Sequence, residues 1–105
     1  KIHVEYVKTL RTEATGAHET FMSAPVNPEL TTVPGIGPRS KDALVSAGIT
    51  NTWQLIGKFL MLNRDPERFI EYLNQFQPIA TSHKQHTIAK AIAQKVALMF
   101  GDWSA

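Results

Sequence analysis

The chain contains no cysteine. That absence excludes a disulfide scaffold, a thiolate nucleophile and every cysteine-based zinc site, and leaves the redox compartment open. No apolar run approaches the roughly 20 residues that a membrane-spanning helix needs. The opening Lys1-Ile2-His3-Val4-Glu5-Tyr6 lacks the charged stretch and apolar core of a secretory leader, so a soluble protein is expected. Position 1 is not methionine, which is compatible with a segment of something longer. A dominant charge is missing too. The 11 Lys and Arg stand against 9 Asp and Glu, a net charge of +2 with no basic tail, so any polyanion must be held locally. What is present is apolar: 43% of 105 residues is enough for one domain with its own core, though not comfortably for two.

No segment reads convincingly as a strand. Residues 1–16 carry an ambiguous period, strand-like at Ile2, Val4 and Tyr6 and helical at Tyr6 with Leu10, and are read as an N-terminal extension to a domain at 17–105. Glu19 to Ser23 allows a helical turn ended by Ala24-Pro25. Asn27-Pro28-Glu29 has a cap, a proline for the first helical position and an acid in the first turn, which predicts a short helix to about Val33. A helix of roughly ten residues should follow from Pro38 and close at Gly48. Asn51 with Gln54 caps a third, in which Trp53, Ile56, Phe59 and Leu60 form the apolar stripe, with Trp53 and Phe59 read as core. Asp65-Pro66-Glu67 opens a fourth with Phe69, Leu73 and Phe76 inward, stopping before Pro78. Ser82 with Gln85 caps a last helix carrying Ile88, Ile92, Val96 and Phe100 on one face up to Gly101. The fold class is therefore all-α, a compact five-helix domain.

Between the first two of these helices lies Val33-Pro34-Gly35-Ile36-Gly37-Pro38-Arg39-Ser40-Lys41-Asp42. Gly35 and Gly37 let backbone come close to a ligand, Pro34 and Pro38 stiffen the approach, and Ile36 can plug the hairpin into the core. The amides that open a helix have no intrahelical acceptor and sit at the positive end of its dipole, so an anion fits there. A phosphate could accept from the hairpin and from the Arg39 and Ser40 amides, whereas Pro38 has no N–H to give. The Ser40 hydroxyl, the Arg39 fork and the Lys41 ammonium add side-chain donors. Such contacts position a nucleic-acid backbone without reading its sequence. Nucleotide-loop readings fail on context, since there is no preceding strand, no third glycine at the dinucleotide spacing and no Gly-Lys-Ser/Thr ending.

Other chemistry is thin. His83 and His86 are close but no carboxylate or cysteine joins them at ligand spacing, so no metal site and no cofactor are expected. Asp65 and Glu67 are explained by capping and the helix dipole, and no enzyme is expected. Trp103, beyond the break at Gly101, is a candidate interface residue.

Taken together, Gly35 through Gly48-Ile49, Leu55-Ile56-Gly57-Lys58-Phe59-Leu60-Met61-Leu62 and Asp65-Pro66-Glu67-Arg68-Phe69-Ile70-Glu71-Tyr72-Leu73 resemble the barrier-to-autointegration factor family over about residues 18–100. The resemblance implies a helix-hairpin-helix fold of the SAM-like type and a homodimer that bridges two segments of double-stranded DNA without sequence preference. It implies LEM-domain proteins, lamins and histones as further partners, and a location in nucleus, chromatin and cytoplasm. Carried over by position, the DNA contacts are Gly35, Ile36, Gly37, Arg39 and Ser40, with Lys41 beside them and Lys84 peripheral. Departures stand at Ala17, Ala43 and Thr87, where the family carries basic residues, and at Ala89, Ile92 and Val96, where it carries cysteines and tryptophan. These departures keep two other readings open: a protein-interaction scaffold of the same fold with weakened DNA binding, and the DNA-binding module of a larger repair or recombination protein. A monomer also remains open.

Overall fold

A computed structural model describes residues 16–101. Of the extension expected at 1–16 all but Gly16, and also Trp103, lie outside the described residues. Among these there are six α-helices and one 3-10 turn, and no strand: α1 Gly16–Ser23, the turn Leu30–Thr32, α2 Pro38–Ser46, α3 Thr52–Met61, α4 Pro66–Asn74, α5 Gln77–Thr81 and α6 Gln85–Phe100. The all-α expectation holds.

Local chemistry sets most boundaries. Asn51 Oδ1 accepts the Gln54 amide at 2.9 Å, and the Gln54 side chain reaches back to the Thr50 amide at 2.6 Å, so both ends of this reciprocal cap are made. Asp65 Oδ1 accepts the Glu67 amide at 3.0 Å with Pro66 in the first turn of α4. Helix α2 closes as its glycine predicts: Gly48 takes φ +94°, and the Ile49 amide bonds back to the Leu44 carbonyl at 2.9 Å.

Helix α6 is the hub. Ile88, Ile92 and Val96 are fully buried on it, and α1, α3 and α4 pack around that face. Phe59, Phe69, Leu73 and Ile79 fill the space between, with the Phe59 and Phe69 rings edge-on at 5.1 Å.

Four expectations need correction. The predicted helix from Pro28 is only the 3-10 turn Leu30–Thr32, because Asn27 Oδ1 takes the Glu29 amide and Glu29 itself caps the turn. Pro78 does not merely follow a helix; it lies in the first turn of α5, a helix the sequence reading did not count. Ser82 does not open α6: its hydroxyl donates to the Pro78 and Ile79 carbonyls and finishes α5, after which His83 turns the chain at φ +58° and Lys84 precedes α6. Trp53, Leu60 and Phe100 lie on stripes whose period predicts burial, yet they are 51%, 39% and 59% exposed. A stripe of the right period shows which residues share a face, not what covers it.

Candidate nucleic-acid interface

The hairpin is held from behind by α6. Ile36 is buried at 5% exposure, and its amide donates to the Val33 carbonyl at 3.0 Å, closing the turn. Gly35 takes φ +96°, and a Cβ there would stand 2.9 Å from Ile88 Cγ1 and 3.3 Å from Thr87 Cγ2. Gly35 is thus glycine for packing as well as for conformation. Gly37 differs. It is extended (φ −100°, ψ −173°), exposed, and a Cβ on it would meet nothing within 4 Å.

A cleft of about 560 Å³ opens in front of the hairpin. One wall is Gly35, Gly37, Pro38, Arg39 and Ser40. The other is Gln77, Pro78, Thr81, Ser82 and Lys84, brought across because α5 packs against α2. The amides of Arg39 and Ser40 lie in the opening turn of α2 with no intrahelical acceptor, and among the described residues the Gly37 amide takes no carbonyl either. Exposed Arg39 and Lys84 supply positive charge from opposite walls. The arrangement presents backbone amides, a helix N-terminus, a hydroxyl and two cations to one space, which suits a phosphodiester backbone.

The residues singled out from sequence therefore divide. Gly35, Gly37, Arg39, Ser40 and Lys84 share the cleft, and Ile36 anchors it from inside the core. Lys41 does not line it: its ammonium lies 2.9 Å from Glu29 Oε2 and 3.2 Å from Oε1. The Glu29 carboxylate also accepts the Thr31 amide and hydroxyl, and its carbonyl accepts the Thr32 and Thr52 hydroxyls. Lys41 thus ties α2 to the loop that precedes the hairpin and to the start of α3. Sequence reasoning missed Gln77, Thr81 and Ser82 as cleft residues, because it read Pro78 as a stop. The signal was there, since Pro38 and Pro66 also open helices.

The Lys41 ammonium, then the Thr31 amide and hydroxyl, hold the Glu29 carboxyl below its ordinary 4.5. A depressed carboxylate contributes stability above its unfolded pKa and loses it as pH falls through the folded one. Melting followed between pH 6 and pH 3 should therefore show an acid-side loss that is smaller in Lys41→Met; an identical acid slope in both proteins would remove the pair from the account. Among the described residues no group of three or more His, Asp or Glu is placed to hold a metal ion, and no helix is long and apolar enough to cross a membrane.

Residues 12–98 match the family described as barrier to autointegration factor. The chain belongs to that family. It is 33% identical over 67 residues to Barrier-to-autointegration factor 1 of Caenorhabditis elegans, an alignment spanning 63% of this chain and 75% of that relative. No solved structure matches. Membership in the barrier-to-autointegration factor family makes this a DNA-binding, chromatin-associated type of protein from a non-enzymatic family. The match covers the hairpin, both walls of the cleft and nearly all of α6.

Proposed function

We propose that this protein binds double-stranded DNA without sequence preference, through the cleft between the hairpin and α5, and that a homodimer bridges two duplexes. The observation that carries the reading is the cleft itself: amides of Gly37, Arg39 and Ser40 and the charges of Arg39 and Lys84 converge on one solvent-open space. Backbone amides and cations of this kind address a sugar-phosphate backbone, which positions a duplex without reading its sequence. Nuclear and chromatin association, and contact with LEM-domain proteins, lamins or histones, enter this proposal through family kinship alone.

Support for the dimer comes from α3. Trp53, Leu60 and Met61 are 51%, 39% and 79% exposed, and with Gly57 they share a face at helical spacing. A Cβ at Gly57 would meet nothing within 4 Å, so the centre of this apolar face is a shallow place where a twin helix can approach. Gly57→Gln should leave a monomer by light scattering while raising the melting temperature of that monomer, since glycine costs about 1 kcal/mol in a helix interior. A Gly57→Gln protein that stays dimeric would move the interface elsewhere.

Titration with two unrelated duplexes over a salt series tests the main reading. Equal affinities are expected, falling with salt at roughly 0.9 in log K per log salt for each phosphate neutralised. Failure to bind at low salt would overturn it and leave the α3 face to act as a protein-interaction scaffold.

A further inference from the structure

Resting on the duplex-DNA reading, we infer that Gln77 and Thr81 are additional contact residues, forming the uncharged part of a second wall, shared with Lys84, that holds the sugar-phosphate backbone opposite the hairpin. Both line the cleft, and their spacing of four places them on one face of α5. The opposite face is fixed: Ile79 is fully buried, and α5 packs against both α2 and α4. The wall therefore keeps a set position relative to the hairpin. Both side chains are exposed, and among the described residues neither makes a hydrogen bond, whereas neighbouring Ser82 donates to the Pro78 and Ile79 carbonyls. Nothing among the described residues uses them.

Size supports a two-walled ligand. About 560 Å³ lies in the range that takes a drug-sized molecule, larger than one phosphate group, so contacts from the hairpin side and Lys84 leave room on the far wall for further donors. The Gln77 amide offers two donors and an acceptor, and the Thr81 hydroxyl one donor and two lone pairs, which match phosphate and sugar oxygens. Neutral donors differ from Arg39 in one measurable respect. They add affinity without releasing counterions, so they shift the binding constant and leave its salt slope alone.

The test is the salt-dependent titration of a duplex with the full chain, its Gln77→Ala, Thr81→Val and Gln77→Lys variants, and Arg39→Ala for comparison. Gln77→Ala and Thr81→Val should each weaken binding roughly two- to tenfold at every salt, giving lines parallel to the parent's. Arg39→Ala should flatten the slope by about 0.9, and Gln77→Lys should tighten binding and steepen the slope by a similar amount. Because Gln77 is exposed at the start of a short helix, Gln77→Lys keeps the test meaningful if an alanine variant is poorly folded. Parent-like lines for all three α5 variants, with Arg39→Ala still impaired, would overturn the second wall and spare the DNA reading. Absence of binding by the parent would end both.

Discussion

Replacing Gly37 with glutamate is expected to abolish duplex binding while leaving the melting temperature within a few degrees of the parent's. The backbone there is extended (φ −100°), a conformation any residue adopts, and the added side chain starts in open space. It carries a negative charge into the wall that would face phosphate, in front of the amides of Arg39 and Ser40. Like charges pressed together across an interface cost several kcal/mol, which corresponds to a loss of at least roughly 100-fold in affinity. Gly35→Ala is the contrasting variant. It meets both a left-handed φ of +96° and the buried Ile88 side chain 2.9 Å away, and should cost about 2–5 kcal/mol of stability. Electrophoretic or fluorescence binding beside thermal melting separates the two: Gly37→Glu folded and silent, Gly35→Ala destabilised. A Gly37→Glu protein that binds like the parent would remove the hairpin from the interface.

That contrast also shows what the order of residues could convey. Two glycines one residue apart look equivalent in a string, and both read as room for close approach. Only the fold tells that Gly35 is pressed by α6, some fifty positions later, and that Gly37 faces the cleft. The hairpin, the α3 and α4 caps and the Gly48 stop were legible because each depends on neighbours within a few residues. Helix α5 was not. Its cap is Phe76, which makes no side-chain bond, and Pro78 can end one helix as readily as begin another. With α5 went half of the cleft.

Side-chain roles decided at long range were hidden for the same reason. Trp53 and Leu60 sit at the right period for a core, and only the absence of a covering element within the described fold leaves them outside. Lys41 looks like a phosphate ligand beside Arg39, but Glu29, twelve positions earlier, takes its charge. The Lys41–Glu29 pair is used to hold the hairpin in place. Among the residues lining the cleft, backbone dipole plus Arg39 and Lys84 face a ligand, a combination that suits a partner recognised by shape and charge.

A second large effect, on stability, is expected at Lys95. This residue is 4% exposed on α6, next to the fully buried Val96, and its ammonium donates to the carbonyls of Phe21 at 2.8 Å, Met22 at 3.1 Å and Ala24. It also stands 5.5 Å from the centre of the Phe21 ring. Phe21 and Met22 lie in the last turn of α1, whose carbonyls have no helical partner of their own, and Ala24 directly follows the helix. One lysine thus caps α1 and fastens it to the hub, beside a second tie in which buried His18 Nε2 meets Gln94 Oε1 at 2.6 Å. Burial lowers the Lys95 pKa from 10.5, a sign of the desolvation that the three acceptors must offset. Lys95→Met decides which effect wins. Replacing a buried charge with an apolar side chain is often neutral when its partner is removed as well, but here three oxygens are left behind, and hydrogen bonds to a charged group are worth about 1.5–3 kcal/mol each. Allowing for water reaching the more exposed of the carbonyls and for relief of the lysine's own desolvation, a net loss of about 2–4 kcal/mol follows. For a domain of this size that lowers the melting temperature on the order of 10–20 °C. An eight-residue helix does not persist unaided, so hydrogen exchange should show α1 amides losing protection first, ahead of α3 and α4. A Lys95→Met protein melting within a few degrees of the parent, with α1 still protected, would mean that apolar packing on α6 alone holds this helix.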